Sequence, residues 1–231
     1  MRTIHREIVG STNDTARELL ATGETTPFWV RADAQTAGRG RLSRDWVSKP
    51  GNLFCTGVID TKLPPCERHR IGFAASLGVR DTLAAAGIAD AELKWPNDVL
   101  IDRHKVAGML LETEGDHVLI GIGLNIAHHP DGTRTPATHT AEHGWSPTPA
   151  EALERVAHAV AERVSQGWTR VHRDWVVHSC SIGEKFAVDQ NGRRLVGTHA
   201  GIGANGELLL RTPSGTVPIM SGDMIPSARP R

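Results

Sequence analysis

The chain has 231 residues, with 26 basic and 26 acidic side chains and no formal net charge. That balance excludes a broad basic face for bulk DNA or for an acidic membrane, but not a local anion site. No run of about 18 apolar residues predicts a membrane span, and the start MRTIHREIVGSTND lacks the apolar core of a secretory signal. Cys55, Cys66 and Cys180 are an odd number without metal-ligand spacing, which fits reduced thiols in the cytoplasm.

Ser11, Thr12 and Asn13 offer cap oxygens for a helix over Asn13 to Leu20, with Ala16, Leu19 and Leu20 as its apolar stripe. Phe28 to Ala32 is strand-like. The arginine-rich run QTAGRGRLSRDW follows, and then a turn at Pro50-Gly51 and a strand over Asn52 to Asp60. Arg70 to Ala86 has helical spacing and stops at Gly87. Glu92 to Lys94, Asp98 to Asp102, Lys105 to Glu112 and His117 to Ile126 form a strand meander, turning at Asp102-Arg103 and Gly115-Asp116. Residues 127 to 149 are a loop. A single long helix is expected over Ala150 to Trp175, capped by Thr148 with Pro149 in its first turn. From Ser181 onward short apolar runs alternate with turns, including Asn191-Gly192 and Asn205-Gly206, strong hairpin signals. They suggest a small appended barrel, with domains at 1–180 and 181–231.

Four stretches can carry chemistry. In the first, Gly38-Arg39-Gly40 lets backbone approach a ligand, and arginine forks match phosphate or carboxylate oxygens; a solvated turn accounts for the run equally well. GRGRLS nearly fits the dinucleotide fingerprint, but that fingerprint must open a helix and Pro50 leaves no room for one. In LKWPNDVLI, Pro96 forces a turn carrying Lys94, Asn97 and Asp98; Asp98 can hold Mg2+ with phosphate oxygens, or the two acidic-amide neighbours can cap their own backbone. In HKVAGMLLET, Lys105 can present its ammonium to a reacting carboxylate or phosphate, or simply snorkel from a strand end. In IGIGLNI, Gly121 and Gly123 mark a close approach, and Asn125 suits an adenine edge. His128, His129, His139 and His143 lack a regular spacing on any one element and read as a solvated loop.

Together, STN (Ser11 to Asn13), QTAGRGR (Gln35 to Arg41), KWPND (Lys94 to Asp98), KVAGMLLE (Lys105 to Glu112) and GIGLNI (Gly121 to Ile126) resemble the biotin protein ligase family, in its order and at its separations. The resemblance implies an α+β fold: a mixed sheet flanked by helices, of the class II aminoacyl-tRNA synthetase-like kind, with a small C-terminal SH3-like β-barrel. It implies an enzyme that joins biotin and ATP as biotinyl-AMP and passes biotin to a lysine of a biotin carboxyl carrier protein, the acetyl-CoA carboxylase subunit or a related carboxylase. By the family pattern Ser11, Thr12, Asn13, Gln35, Gly38, Arg39, Gly40, Arg41, Lys105 and Gly108 bind biotin. Arg39, Arg41, Trp46, Lys94, Asn97 and Asn125 bind ATP or the adenylate. Lys105 and Arg41 are catalytic, and Asp98 holds Mg2+ or orients the incoming lysine. Trp46 covers adenine. One departure is Ser43, where the family loop often has Gly, which leaves Arg44 unassigned. With STN ten residues in, a monofunctional ligase that binds no DNA is expected, and a homodimer is left open. The runner-up is a lipoate or octanoate ligase or transferase, which for octanoyl transfer would need a reactive cysteine.

Overall fold

The computed structural model describes residues 1–133, 135–190 and 193–226. The chain opens with β1 (Thr3–Val9), α1 (Thr12–Ala21), β2 (Phe28–Gln35), β3 (Leu53–Asp60) and α2 (Arg70–Ala85). A meander follows: β4 (Glu92–Lys94), β5 (Asp98–Ile101), β6 (His104–Glu114) and β7 (His117–Leu124). These strands make one seven-stranded sheet in the order β1-β2-β3-β7-β6-β5-β4. β1 and β2 pair in parallel and every other pair is antiparallel, so the sheet is mixed.

β1 carries no sequence signal because it is an edge strand. Five of its seven residues are exposed, so it needs no apolar alternation. The inner strands show the alternation that places each face. Phe28, Val30, Val58 and Leu119 pack against Ala16 of α1. Their neighbours Trp29, Cys55, Ile120 and Leu124 join the main core on the other face.

That second face is covered by α2 with α3 (Pro149–Ser165) and α4 (Trp168–Val177). The single helix expected over Ala150 to Trp175 is therefore two. Gly167 sits at φ 74, outside the helical region, and turns the chain between them. The Thr148 cap holds as expected: its hydroxyl accepts from the Glu151 amide, and Glu151 reaches back to the Thr148 amide. The cap oxygens expected of α1 serve otherwise, since Ser11 makes no side-chain cap bond. The buried Trp175 indole donates to Ser76 Oγ at 2.8 Å, tying α4 to α2.

The tail forms a second, five-stranded antiparallel sheet from β8 (Lys185–Gln190), β9 (Arg193–Ile202), β10 (Leu208–Thr212), β11 (Gly215–Ile219) and β12 (Asp223–Pro226). Its order is β11-β10-β9-β8-β12, so no closed barrel is formed among the described residues. The Asn205-Gly206 turn is as expected, with Gly206 at φ 85; Asn191-Gly192 lies outside the described residues. The tail docks on the β4–β5 turn and on α4. Trp95 and Trp168 indoles donate to the carbonyls of Gly206 and Ala204, at 2.9 and 2.7 Å.

Gly78 lets α2 pass close to α3. A Cβ there would lie 2.7 Å from the Val160 amide nitrogen of α3. Alanine normally gains about 1 kcal/mol of helix propensity over glycine, yet this contact is with backbone, which cannot rotate away. Gly78→Ala is expected to destabilise the fold by about 1–3 kcal/mol, read as a fall in Tm by calorimetry; an unchanged or higher Tm would show that the helices can part freely.

Candidate active site

The α1 face of the first sheet is hollow where its side chains are small. Gly108 of β6 stands opposite Gly123 of β7, and Asp98 of β5 opposite Gly108. A Cβ at Gly121 would lie 2.5 Å from Asn13 Oδ1, and one at Gly123 would enter the Trp46 ring. The glycines thus form the floor of a cavity of about 310 Å³, large enough for a small organic ligand.

One end is a hydrogen-bonding cluster. The Thr12 amide and hydroxyl donate to Gln35 Oε1 at 2.8 and 3.2 Å, and Gln35 Nε2 donates to Ser48 Oγ at 2.8 Å. Thr56 donates to Asn13 Oδ1 at 2.6 Å, and Asn13 Nδ2 donates to Glu112 at 2.9 Å. Ser11, Thr12 and Asn13 are all buried here, at the N-cap and first turn of α1.

The centre is cationic. Lys105 Nζ lies 2.6 Å from Asp98 Oδ1 and 5.1 Å from the centroid of the Trp46 ring. The Trp46 Nε1 is buried without a hydrogen-bond partner. Trp46 therefore sits across the floor, over the ammonium, rather than at an outer rim.

The other end is held by the Pro96 turn. Asn97 Nδ2 donates to the Met109 carbonyl at 2.6 Å, and the Met109 amide donates to the Asn97 carbonyl at 2.9 Å. Lys94 Nζ donates to Thr135 Oγ1 at 3.2 Å; burial holds its pKa below the usual lysine value, although Asp98 opposes that shift. Asn125 is buried, and its Nδ2 donates to the Thr138 carbonyl at 3.0 Å.

The arginine loop closes over this space. Trp46 N donates to the Gly38 carbonyl, and Gly40 N to that of Arg44. Gly38 packs against the loop's own backbone and side chains. A Cβ there would lie 2.6 Å from the Trp46 carbonyl, so the residue serves the close packing of the loop base. Leu42 and Ser43 adopt φ 56 and 54, the left-handed region that favours glycine. Each costs on the order of 1 kcal/mol of strain.

The loop's arginines carry internal counterions. Arg39 grips Asp14 with both terminal nitrogens, at 2.6 and 2.7 Å. That hydrogen bond, more than burial opposes it, holds the Asp14 carboxyl below its ordinary pKa. Arg44 pairs with Asp223 of β12, and Arg41 lies 4.0 Å from the same carboxylate. Arg41 donates to the Gly222 carbonyl at 3.4 Å. Burial lowers its pKa, while Asp223 and Asp98 favour the cation.

Asp98 Oδ1 is paired with Lys105, and Asp98 belongs to no group of three or more metal-ligating side chains among the described residues, so it does not by itself make a protein-built magnesium site. Asp14, Ser48, Thr56, Thr135 and Asp223 were missed by sequence reasoning. Only Thr56 had a usable signal, a polar side chain inside an apolar strand; Asp14 and Asp223 look like ordinary surface acids.

This fold and site define a class: a mixed-sheet enzyme whose glycine-floored polar cavity holds a lysine–aspartate pair under an arginine-rich loop. The chain belongs to the biotin/lipoate A/B protein ligase family, whose pattern matches residues 6–125. It is 35% identical over 222 residues to the biotin–[acetyl-CoA-carboxylase] ligase of Paracoccus denitrificans, covering 89% of this chain and 92% of that one. It is 30% identical to the Mycobacterium tuberculosis ligase of the same name, covering 95% of this chain and 88% of that one. A biotin protein ligase of Aquifex aeolicus, solved with biotin and ATP, superposes with TM-score 0.85 at 26% identity, covering 96% of this chain and 97% of that one.

None of the three cysteines lines the cavity. Burial pushes the Cys55 thiol far up and the Cys180 thiol to about 11, while Cys66 is exposed. Thiol titration of the folded protein near neutral pH is expected to modify Cys66 alone rapidly. Rapid reaction of all three would contradict this placement.

Proposed function

We propose that this enzyme activates biotin with ATP as biotinyl-AMP and transfers it to a lysine of a biotin carboxyl carrier protein. The observation that carries the reading is the position of Lys105. Lys105 lines one cavity with Thr12, Gln35, Lys94, Asn97 and Asn125, and its ammonium there is paired with Asp98.

In the first step a biotin carboxylate oxygen attacks the α-phosphorus, and pyrophosphate leaves. Two anions must meet, so positioning and charge neutralisation dominate catalysis. Ser11, Thr12, Asn13 and Gln35 would take the polar ring of biotin, and Gly108 would leave room for its tail once the Trp46 ring that lies against it moves aside. Lys105 and Arg41 would stabilise the carboxylate and phosphate as charge builds between them. Arg39 would contribute once the ligand replaces Asp14, and Gly40 admits its backbone. Lys94, Asn97 and Asn125 would hold the nucleotide, and Trp46 would cover the adenylate against water. A magnesium ion carried on the phosphates of ATP belongs to the substrate in this scheme.

In the second step the amine of the carrier lysine attacks the acyl carbon and AMP leaves. Asp98, released from Lys105 by the adenylate, would orient that amine and accept hydrogen bonds from it. The five-stranded tail corresponds to the family's small SH3-like domain in this reading. It brings Asp223 to the arginine loop.

The octanoyl-transfer alternative is disfavoured by the cysteines, which lie outside the cavity. Pyrophosphate release is expected to require biotin and ATP together; release driven by lipoate or octanoate but not biotin would overturn the proposal. Lys105→Ala is expected to slow adenylate formation by about 100-fold or more, with an unchanged circular dichroism spectrum. Near-native adenylation by that variant would remove Lys105 from the mechanism.

A further inference from the structure

The loop after β7 doubles back on itself. It leaves the sheet at Asn125 and returns through Thr138 to a short 3₁₀ turn over Thr140–His143. Its backbone is tied to β6, since the Lys105 amide donates to the Pro136 carbonyl and the Thr138 amide to the Lys105 carbonyl. The fold back brings His129 beside His139, ten residues apart in the chain.

The two Nδ1 atoms lie 2.9 Å apart, and His139 Nδ1 is 3.6 Å from Glu142 Oε2. All three ligand atoms fall within 4.8 Å of one another. A tetrahedral zinc site with about 2.0–2.1 Å bonds to nitrogen or oxygen has ligand atoms about 3.3 Å apart. The two measured separations bracket that value. Glu142 lies in the 3₁₀ turn that His139 precedes as its extended N-cap, and its carboxylate comes back to within 3.6 Å of the His139 ring.

Two imidazole nitrogens at 2.9 Å cannot both carry protons facing each other, so at least one presents a lone pair. A second shell is present. Thr138 Oγ1 donates to Glu142 Oε2 at 2.8 Å and lies 2.9 Å from His143 Nε2, which orients the carboxylate. His128 is not part of the group; its ring faces the Pro50 carbonyl and its own carbonyl accepts from Asn52.

We propose that His129, His139 and Glu142 form a binding site for a divalent d-block cation of the zinc class, with the fourth position open to water. Two imidazoles and one carboxylate are the donor set that such ions take, and nothing in the biotin–ATP chemistry uses these residues. Occupancy would strap the two ends of the loop that backs Lys105 and supplies Thr135 to Lys94.

The test is calorimetric titration of the full chain with Zn2+ at neutral pH. One ion per chain is expected, with affinity weakened by more than about 10-fold in His129→Ala and in His139→Ala. Glu142→Gln is expected to weaken it too. His158→Ala, an exposed histidine on α3, should leave it unchanged. Circular dichroism confirms that each variant folds. No saturable binding below millimolar zinc would overturn the proposal. So would binding that survives both histidine substitutions, or binding that His158→Ala weakens equally.

Discussion

The ion pair between Lys105 and Asp98 sets the terms for the rest of this site. An ammonium set into a half-enclosed cavity needs an anionic partner, since desolvation without one is costly. Asp98 supplies it at 2.6 Å, and the Trp46 ring face supplies a second, weaker attraction. The glycines follow from this. Only a strand pair without side chains at Gly108 and Gly123 leaves room for the indole and the lysine together. The Pro96 turn follows as well, because it delivers Asp98 to the register opposite Gly108.

The same logic recurs around the cavity. Arg39 is matched by Asp14, and Arg44 by Asp223. A chain with no net charge can therefore concentrate cations in one loop, because each has a carboxylate near it. These pairs tie the loop to α1 and β12. An adenylate offers a phosphate and an acyl group that can take the place of the internal acids. The loop's strain at Leu42 and Ser43 is compatible with a segment that shifts when its partners change.

The sequence was legible where one residue type serves one local need. The glycines of the floor, the Pro96 turn, the capping box at Thr148 and the strand meander all announced themselves. Lys105, which opens an apolar strand, stood out only alongside the other motifs, since a lysine at a strand end can equally snorkel. Partners distant in the chain were not legible. Asp14 is an ordinary first-turn acid until the loop folds over it, and Asp223 sits in a tail strand with no motif. The split of the last long helix was hidden because Gly167 is flanked by residues that continue the amphipathic pattern. The edge strand β1 was hidden because exposure removes alternation. His129 and His139 had no shared element, and only the fold back of their loop makes them neighbours.

The central claim is that the ligand's anions replace the protein's own acids on Lys105 and the arginine loop. A crystal structure with biotinyl-AMP bound tests it most directly. The account predicts Lys105 Nζ within hydrogen-bond reach of an acyl-phosphate oxygen and its contact with Asp98 lengthened or lost. A complex in which Lys105 stays on Asp98, with no cation of the loop at the phosphate, would contradict it.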